Sequence, residues 1–441
     1  MKKLLTVVLV GAVVAALGAC EAAGDGAGKP NGGGASESGQ AVSTAPKAAQ
    51  EQVPPGFDGG KGWAVMQSER LTQPSVAPHS PLVLFLKTHE GGTAFGVEAR
   101  DASTGAVRWS SAAWKPSERP AEFRADDVKL VVTSKDGKDY AVLVAGVQEG
   151  KDAIAQGKAI AKAAVFPTGS SGANVAPARQ VSIPEGTSEA VPHDKAGTLA
   201  FWNSAGVRVV DVTTGAIASR QDSRGQDYLL KVQGPANGTF QIVDAWPGKN
   251  IVPTGAKKTS GVEHGQAHGV RGGYAVAQWP SKDAAYSSLG LPMNHVWSLH
   301  DERTGNPAYT VACNGLSDAQ ISSENKAVLS DNGRYLVTAY MAFDLQAEKG
   351  YCFGGTQDRA RVDFMGVDNA GIAYGNARTP AGTGVPVSVN LATGAHTELS
   401  GVTLPTRVTG DVALYETVPV NEEDPAADPT HHAVLSVYPK R

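Results

Sequence analysis

Hydrophobic positions in this chain come in short runs, and few of them keep helical spacing. Leu82-Val83-Leu84-Phe85-Leu86 is apolar at every position. Val128 to Thr133 and Tyr140 to Val147 flank Lys135-Asp136-Gly137-Lys138, where Asp-Gly predicts a tight hairpin turn. Arg334 to Tyr340 follows Asp331-Asn332-Gly333, and Val385, Val387 and Val389 alternate with polar residues. These patterns predict strands punctuated by turns. One stretch departs from them. Gln148 to Ala159, through Lys151-Asp152-Ala153-Ile154, predicts a short helical insertion.

One turn recurs. Asp101, Thr104 and Gly105 form it first; Asp211, Thr214 and Gly215 repeat it; Asp301, Thr304 and Gly305 follow; Asn390, Thr393 and Gly394 make a fourth. An Asp or Asn side chain accepts bonds from the backbone two residues on, and Gly supplies the positive φ that closes the turn. Weaker versions stand at Gly169, Gly255 and Gly350. The steps between turns are about 40 to 64 residues, the length of one four-stranded propeller blade. Runs that are apolar on both faces suit a blade packed between two neighbours. The expected fold is all-β, a single β-propeller over residues 56–441 with seven blades, eight being the near alternative. The strand Ala433 to Val437 is expected to zip into the first blade. A pair of β-sandwich domains is the competing architecture.

The N-terminus reads differently. Lys2-Lys3 precedes an apolar run from Leu4 to Ala16, short for a membrane-spanning helix. Leu17-Gly18-Ala19-Cys20 follows. A basic start, an apolar core and small residues before a cut are a secretory signal. With Cys at the position after the cut, it resembles the bacterial lipoprotein signal, matching at Leu17, Gly18, Ala19 and Cys20. The resemblance implies cleavage between Ala19 and Cys20, with acyl chains, such as palmitate, on the Cys20 end. The lipid bilayer is then a partner, and the protein sits on the extracytoplasmic face of the cell membrane. Residues 20–55 are rich in Gly, Ala and Ser and are expected to form a disordered tether reaching on the order of 30 Å.

Composition narrows the function classes. A formal charge of −4 over 441 residues gives no electrostatic footprint for nucleic acid. Three Cys are present, and Cys20 is assigned to lipid. Cys313 and Cys352 then form an even pair in an exported chain, read as a disulfide, with two separate buried thiols as the alternative.

Asp, two residues, Thr-Gly, three residues and an aromatic resembles the repeat of quinoprotein-like β-propellers. The pattern is complete at Asp101, Thr104, Gly105 and Trp109, and Asp301, Thr304, Gly305 and Tyr309 nearly match it. Ser219 and Glu398 depart from it in the aromatic place. That family implies a propeller whose members are quinone-dependent dehydrogenases or non-catalytic lipoproteins, so the fold does not choose between them. The adjacent Cys pair of the dehydrogenases is missing here.

Other chemistry is sparse. Glu263, His264 and His268 could hold zinc on a helix, but Gly265, Gly269, Gly272 and Gly273 argue for a loop. His431-His432 beside Asn421-Glu422-Glu423-Asp424-Pro425 reads as a solvated hairpin tip. Trp202, Trp246, Trp279 and Trp297 read as blade-packing core, with ring stacking on a ligand as the alternative. No Gly-x-Ser-x-Gly elbow and no phosphate loop occurs. No catalytic residue, cofactor or metal is therefore expected. The expected role is a non-enzymatic module that binds an envelope protein, peptide or glycan. The alternative is a quinoprotein-like oxidoreductase, or a polysaccharide-acting hydrolase or lyase, using the propeller funnel.

Overall fold

A strand that is apolar on both sides needs a packed neighbour on each side, and the chain meets that need by closing its sheets into a ring. The computed structural model describes residues 45–48, 52–66, 71–119, 127–152, 154–184, 190–193, 197–203, 206–220, 231–233, 240–243, 253–256, 266–271, 274–283, 294–301, 306–314, 327–355, 359–378, 384–409, 411–417 and 434–441. Residues 42–441 form one compact unit.

Strand β1 (Trp63–Met66) comes first in the chain but belongs to the last blade. Blade 1 holds β2 (Leu71–Val76), β3 (Leu82–Thr88), β4 (Phe95–Asp101) and β5 (Val107–Ser111). Blade 2 holds β6 (Val128–Lys135), β7 (Lys138–Glu149), β8 (Lys158–Pro167) and, after the excursion β9 (Gly172–Val175), β10 (Arg179–Pro184). Blade 3 holds β11 (Ala190–His193), β12 (Thr198–Asn203), β13 (Gly206–Asp211) and β14 (Ile217–Arg220). Blade 4 is a six-stranded sheet of β15 (Lys231–Gln233), β16 (Phe240–Val243), β17 (Gln266–Arg271), β18 (Tyr274–Pro280), β19 (Asn294–Asp301) and β20 (Pro307–Asn314). Blade 5 holds β21 (Val328–Leu329), β22 (Tyr335–Thr338), β23 (Met341–Asp344) and β24 (Lys349–Cys352). Blade 6 holds β25 (Arg361–Val367), β26 (Ile372–Arg378), β27 (Gly384–Asn390) and β28 (His396–Glu398). Blade 7 holds β29 (Arg407–Thr409), β30 (Val412–Thr417) and β31 (Val434–Pro439), with β1 as its fourth strand.

Seven blades are thus present among the described residues, as the spacing of the turns predicts. Opening strands of neighbouring blades lie side by side: β2 on β6, β6 on β11, β21 on β25 and β25 on β29. This places them around a common axis. Blades 6 and 7 also share one parallel pair, Gly366 with Val408. The ring shuts where Trp63, Ala64, Val65 and Met66 pair antiparallel with Val437, Ser436, Leu435 and Val434. Closure by pairing removes an exposed edge.

Alternation within one strand shows how the ring packs. Leu82, Leu84 and Leu86 of β3 join Leu130, Ala141 and Leu143 of blade 2. Val83 and Phe85 point the other way, to Val412, Leu414, Leu435 and Val437 of blade 7. Each such side chain contributes about 1.5–3 kcal/mol by leaving water. Aromatic side chains add directed links between blades. Trp63 Nε1 donates to Ala102 O at 2.9 Å, Trp109 Nε1 to Thr168 O at 3.0 Å, and Tyr309 Oη to Leu345 O at 3.0 Å. Each reaches from the outer strand of one blade to the chain just past the third strand of the next.

Three expectations need correction. Gln148 to Ala159 forms no helix: β7 and β8 continue their ladder to Gln148↔Ala159 and Glu149↔Lys158. Gly150 and Gly157, at φ 74° and 75°, bracket a tip too short to nucleate a helix. Packed chain also starts ahead of residue 56. Ala48 N donates to Gly62 O, Lys47 bridges Trp63, and Ala48 and Phe57 are buried. Of the weaker turns, Gly350 lies inside β24 and Gly255 precedes β17, so neither closes a corner between third and fourth strands.

Candidate functional site at the mouth of the ring

Antiparallel order puts two sets of connections on one side of every blade: first strand to second, and third strand to fourth. The third-to-fourth corners lie at the rim. The first-to-second loops stand next to the axis.

The recurrent turns occupy the rim. Asp101 Oδ1 accepts the backbone N–H groups of Ser103 and Thr104 at 3.1 and 3.0 Å and both their hydroxyls. Its Oδ2 accepts Arg108 Nη2 at 2.7 Å. Gly105 sits at φ 70° and donates to Asp101 O. Asp211 does the same with Thr213 and Thr214, while Lys135 Nζ of blade 2 reaches its Oδ2 at 2.8 Å; Gly215 sits at φ 75°. Asn390 accepts from Ala392 and Thr393, with Gly394 at φ 72°. Asp301 N donates to Asn306 O, and Thr304 and Gly305 lie outside the described residues.

The weaker turn expected at Glu348-Lys349-Gly350 is present but sits earlier. Asp344 accepts from Gln346 and Ala347, and Glu348, not Gly350, takes the positive φ, 56°, that Gly takes elsewhere. Burial pushes the Asp101 carboxyl up, but bonds from Ser103, Arg108 and Thr104 outweigh it and hold it at about 2. Burial likewise opposes, and Lys135 and Thr213 overcome, the shift at Asp211, which ends well below the usual carboxylate range. The Arg334 guanidinium lowers Asp344.

The mouth draws on five blades. Asp139 of β7 is buried and accepts His79 N at 2.7 Å, His79 Nδ1 at 2.8 Å and Ser134 Oγ at 2.6 Å. A carboxylate on Nδ1 makes that nitrogen a hydrogen-bond donor and orients the ring. Asp331, in the loop between β21 and β22, is half-buried. Its loop is fixed to blade 6, because Asn332 N donates to Asn369 Oδ1 and Asn332 Nδ2 to Asn369 O, both at 2.9 Å. Ser330 Oγ also bonds Asn332 Oδ1 at 2.7 Å. Asp331 feels Asp411 and Arg407 of blade 7, His79 of blade 1 and Asp139 of blade 2. The loops that carry these groups all lie between first and second strands, or at their ends, on one side of the ring. Burial, with Asp411 next, pushes the Asp331 carboxyl up to about 7.

The other singled-out residues are dispersed. Cys313 of β20 and Cys352 of β24 are joined in a disulfide with Cα atoms 5.4 Å apart, which ties blade 4 to blade 5. Trp279 and Trp297 are buried within blade 4: Trp279 Nε1 donates to Ser298 Oγ, and Trp297 packs edge-on to Tyr340. Trp202 lies on β12 and His268 on β17. Ala19, Cys20, Trp246, Glu263, His264, residues 421–425, His431 and His432 lie outside the described residues. No group of three or more metal-ligating side chains gathers among the described residues. His79, Asp331, Asp411 and Arg407 carry no mutual spacing in the sequence, so only the fold brings them together.

No family model matches the chain, and no curated protein does. Solved structures do resemble it. The structure of U3-55K aligns at TM-score 0.39 and 9% identity over 87% of this chain and 100% of its own. An uncharacterized protein from Listeria monocytogenes aligns at TM-score 0.37 and 8% identity over 78% and 98%. The β-propeller domain of the trilobed protease from Pyrococcus furiosus aligns at TM-score 0.28 and 10% identity over 75% and 84%. Likeness at this level transfers no chemistry to the present chain.

Proposed function

We propose that this protein is a non-enzymatic binding module of the cell envelope. Acylated Cys20 holds it to the membrane, and the face bearing the ring mouth docks a protein partner. One observation carries this reading. On that face the rim carboxylates are occupied in their own corners, so it offers a rigid, preformed surface, while the mouth keeps polar groups that its own loops leave open. Preformed loop surfaces of this kind favour recognition.

The test has two arms. Cell fractionation of Cys20→Ala should move the protein off the membrane; retention there sinks the anchor. Site-specific crosslinking from Asn332 at the mouth and from Ile154 on the opposite face should give a discrete adduct from the mouth only. Equal yields from both faces sink the docking face.

An enzymatic reading has one observation in its favour. The buried Asp139 orients His79 as a general base would be oriented. It requires that His79→Ala abolish turnover of a polysaccharide substrate while leaving partner docking intact.

A further inference from the structure

The hairpin between β7 and β8 reaches further than the blade it belongs to. It joins a second strand to a third, so it lies on the side of the ring away from the mouth. The core of blade 2 ends at the paired Val147 and Ile160, both buried. Beyond them the ladder continues through Gln148↔Ala159 and Glu149↔Lys158, and all four of these residues are exposed. The tip is held by its own bonds. Asp152 Oδ1 accepts Ile154 N at 2.8 Å and Ala155 N at 2.6 Å, while Asp152 N donates to Ala155 O and Lys151 N to Gln148 O. Gly157, at φ 75°, lies so close to the opposite strand that a Cβ would meet Lys151 N at 2.9 Å. This fixed turn displays Ile154, which is 96% exposed.

Charge and area narrow what covers it. On the projecting hairpin Lys151, Lys158 and Lys162 face two acids, Glu149 and Asp152. Glu149 pairs with Lys162 at 3.8 Å, and the turn occupies Asp152, whereas the ammonium groups of Lys151 and Lys158 have no partner among the described residues. One apolar side chain flanked by charge is too small for a protein interface, which takes about 800 Å² from each partner. A bilayer accepts it: the isoleucine enters at the acyl boundary while the lysines meet anionic headgroups.

The chain's own path points the same way. Lys47 bridges Trp63, and Ala64 N donates to Pro46 O, so residues 45–48 run antiparallel to β1. As the fourth strand of blade 7, β1 runs from the mouth side, where Trp63 bonds Ala102 O, to the far side, where Met66 is 63% exposed. Residue 45 thus lies toward the far side, the side of Ile154, and Cys20 stands 25 residues before it.

We propose that the face opposite the mouth rests on an anionic bilayer, with Ile154 inserted at the acyl boundary and Lys151 and Lys158 at the headgroups. This rests on the reading of an acylated Cys20 and adds an orientation to it: the mouth points away from the membrane. Attachment upstream makes insertion intramolecular, at high local concentration, so one side chain is enough to bias the pose.

The experiment reconstitutes the full chain, as cells make it, into vesicles of equal parts phosphatidylglycerol and phosphatidylcholine. A polarity-sensitive fluorophore is attached at Ala155→Cys on the tip or at Asn332→Cys at the mouth, and spin-labelled lipid is the quencher. The tip probe should be quenched and the mouth probe should not. Ile154→Ser should lower the ratio of inserted to free tip about tenfold. Lys151→Gln with Lys158→Gln should lower it at least about fivefold, an effect absent on phosphatidylcholine alone. The proposal is overturned if tip and mouth are quenched alike, if neither is quenched on vesicles that carry the protein, or if either variant matches the parent. A tip signal that grows with protein concentration without vesicles marks contact with a second copy and overturns it too. Flotation separates this from the anchor. An unquenched tip on a floating parent removes the insertion and leaves the anchor standing. Cys20→Ala that floats like the parent, with its tip quenched, removes the anchor and keeps the insertion.

Discussion

Rim and mouth use the same residue type in opposite ways. At the rim, Asp101 and Asp211 sit in nests of N–H and O–H donors, and each also meets a cation. At the mouth, no donor among the described residues bonds the Asp331 carboxylate, and burial and Asp411 outweigh the opposing influence of His79 and Arg407. Burial raises all three carboxyls; only the partners differ, and they decide the sign. Rim carboxylates therefore hold the fold together, whereas the mouth carboxylate costs stability and is kept in spite of that cost. Groups that strain a fold in this way concentrate where a protein meets its ligand.

Four measurements break or sharpen that contrast. The largest effect is expected from the covalent tie between the outer strands of two blades. Cys313→Ser with Cys352→Ser frees blade 4 from blade 5 across 39 residues and should cost about 4 kcal/mol in denaturant unfolding. Trp109→Phe keeps a ring but leaves Thr168 O without its donor, so a loss of about 2–3 kcal/mol is expected.

Asp101→Asn should cost about 2 kcal/mol at neutral pH. Its native carboxyl titrates near 2, below the unfolded value. The stabilisation is therefore full above the unfolded value of 3.8 and disappears as the pH falls through about 2. Thermal melts of both proteins should converge at that acidity. Asp331→Asn should act in the opposite sense and least strongly, raising stability by on the order of 1 kcal/mol at pH 8. Its folded value of about 7 lies above the unfolded 3.8, so the native protein loses stability as the pH rises between them. The gain from the substitution should vanish below pH 4, and a gain that persists there removes the contrast.

The rim was legible in the sequence because its chemistry is local. An Asp or Asn that caps its own backbone and a Gly at positive φ must stand four residues apart, as at Asp101 and Gly105. The corner after Asp344 was placed at Gly350, two residues late, because Glu348 accepts the left-handed backbone without advertising it. Gln148 to Ala159 was misread because a long hairpin edge and an amphipathic turn share short-range patterns. The mouth was not legible at all. His79, Asp139, Asp331 and Asp411 come from four blades, and nothing in their neighbours marks them. The aromatic in the repeat was visible at Trp109 and Tyr309, but its purpose, a bond to the following blade, appears only in three dimensions.

The strand that shuts the ring follows directly on the chain's N-terminal segment. Residues 45–48 lie against residues 62–64, immediately ahead of the pairing between β1 and β31. Pulling on the chain from its N-terminal side would first peel this segment and then load the seam. Mechanical tension would thus be felt at one joint before any other, and the seven-bladed circle would open as a latch does.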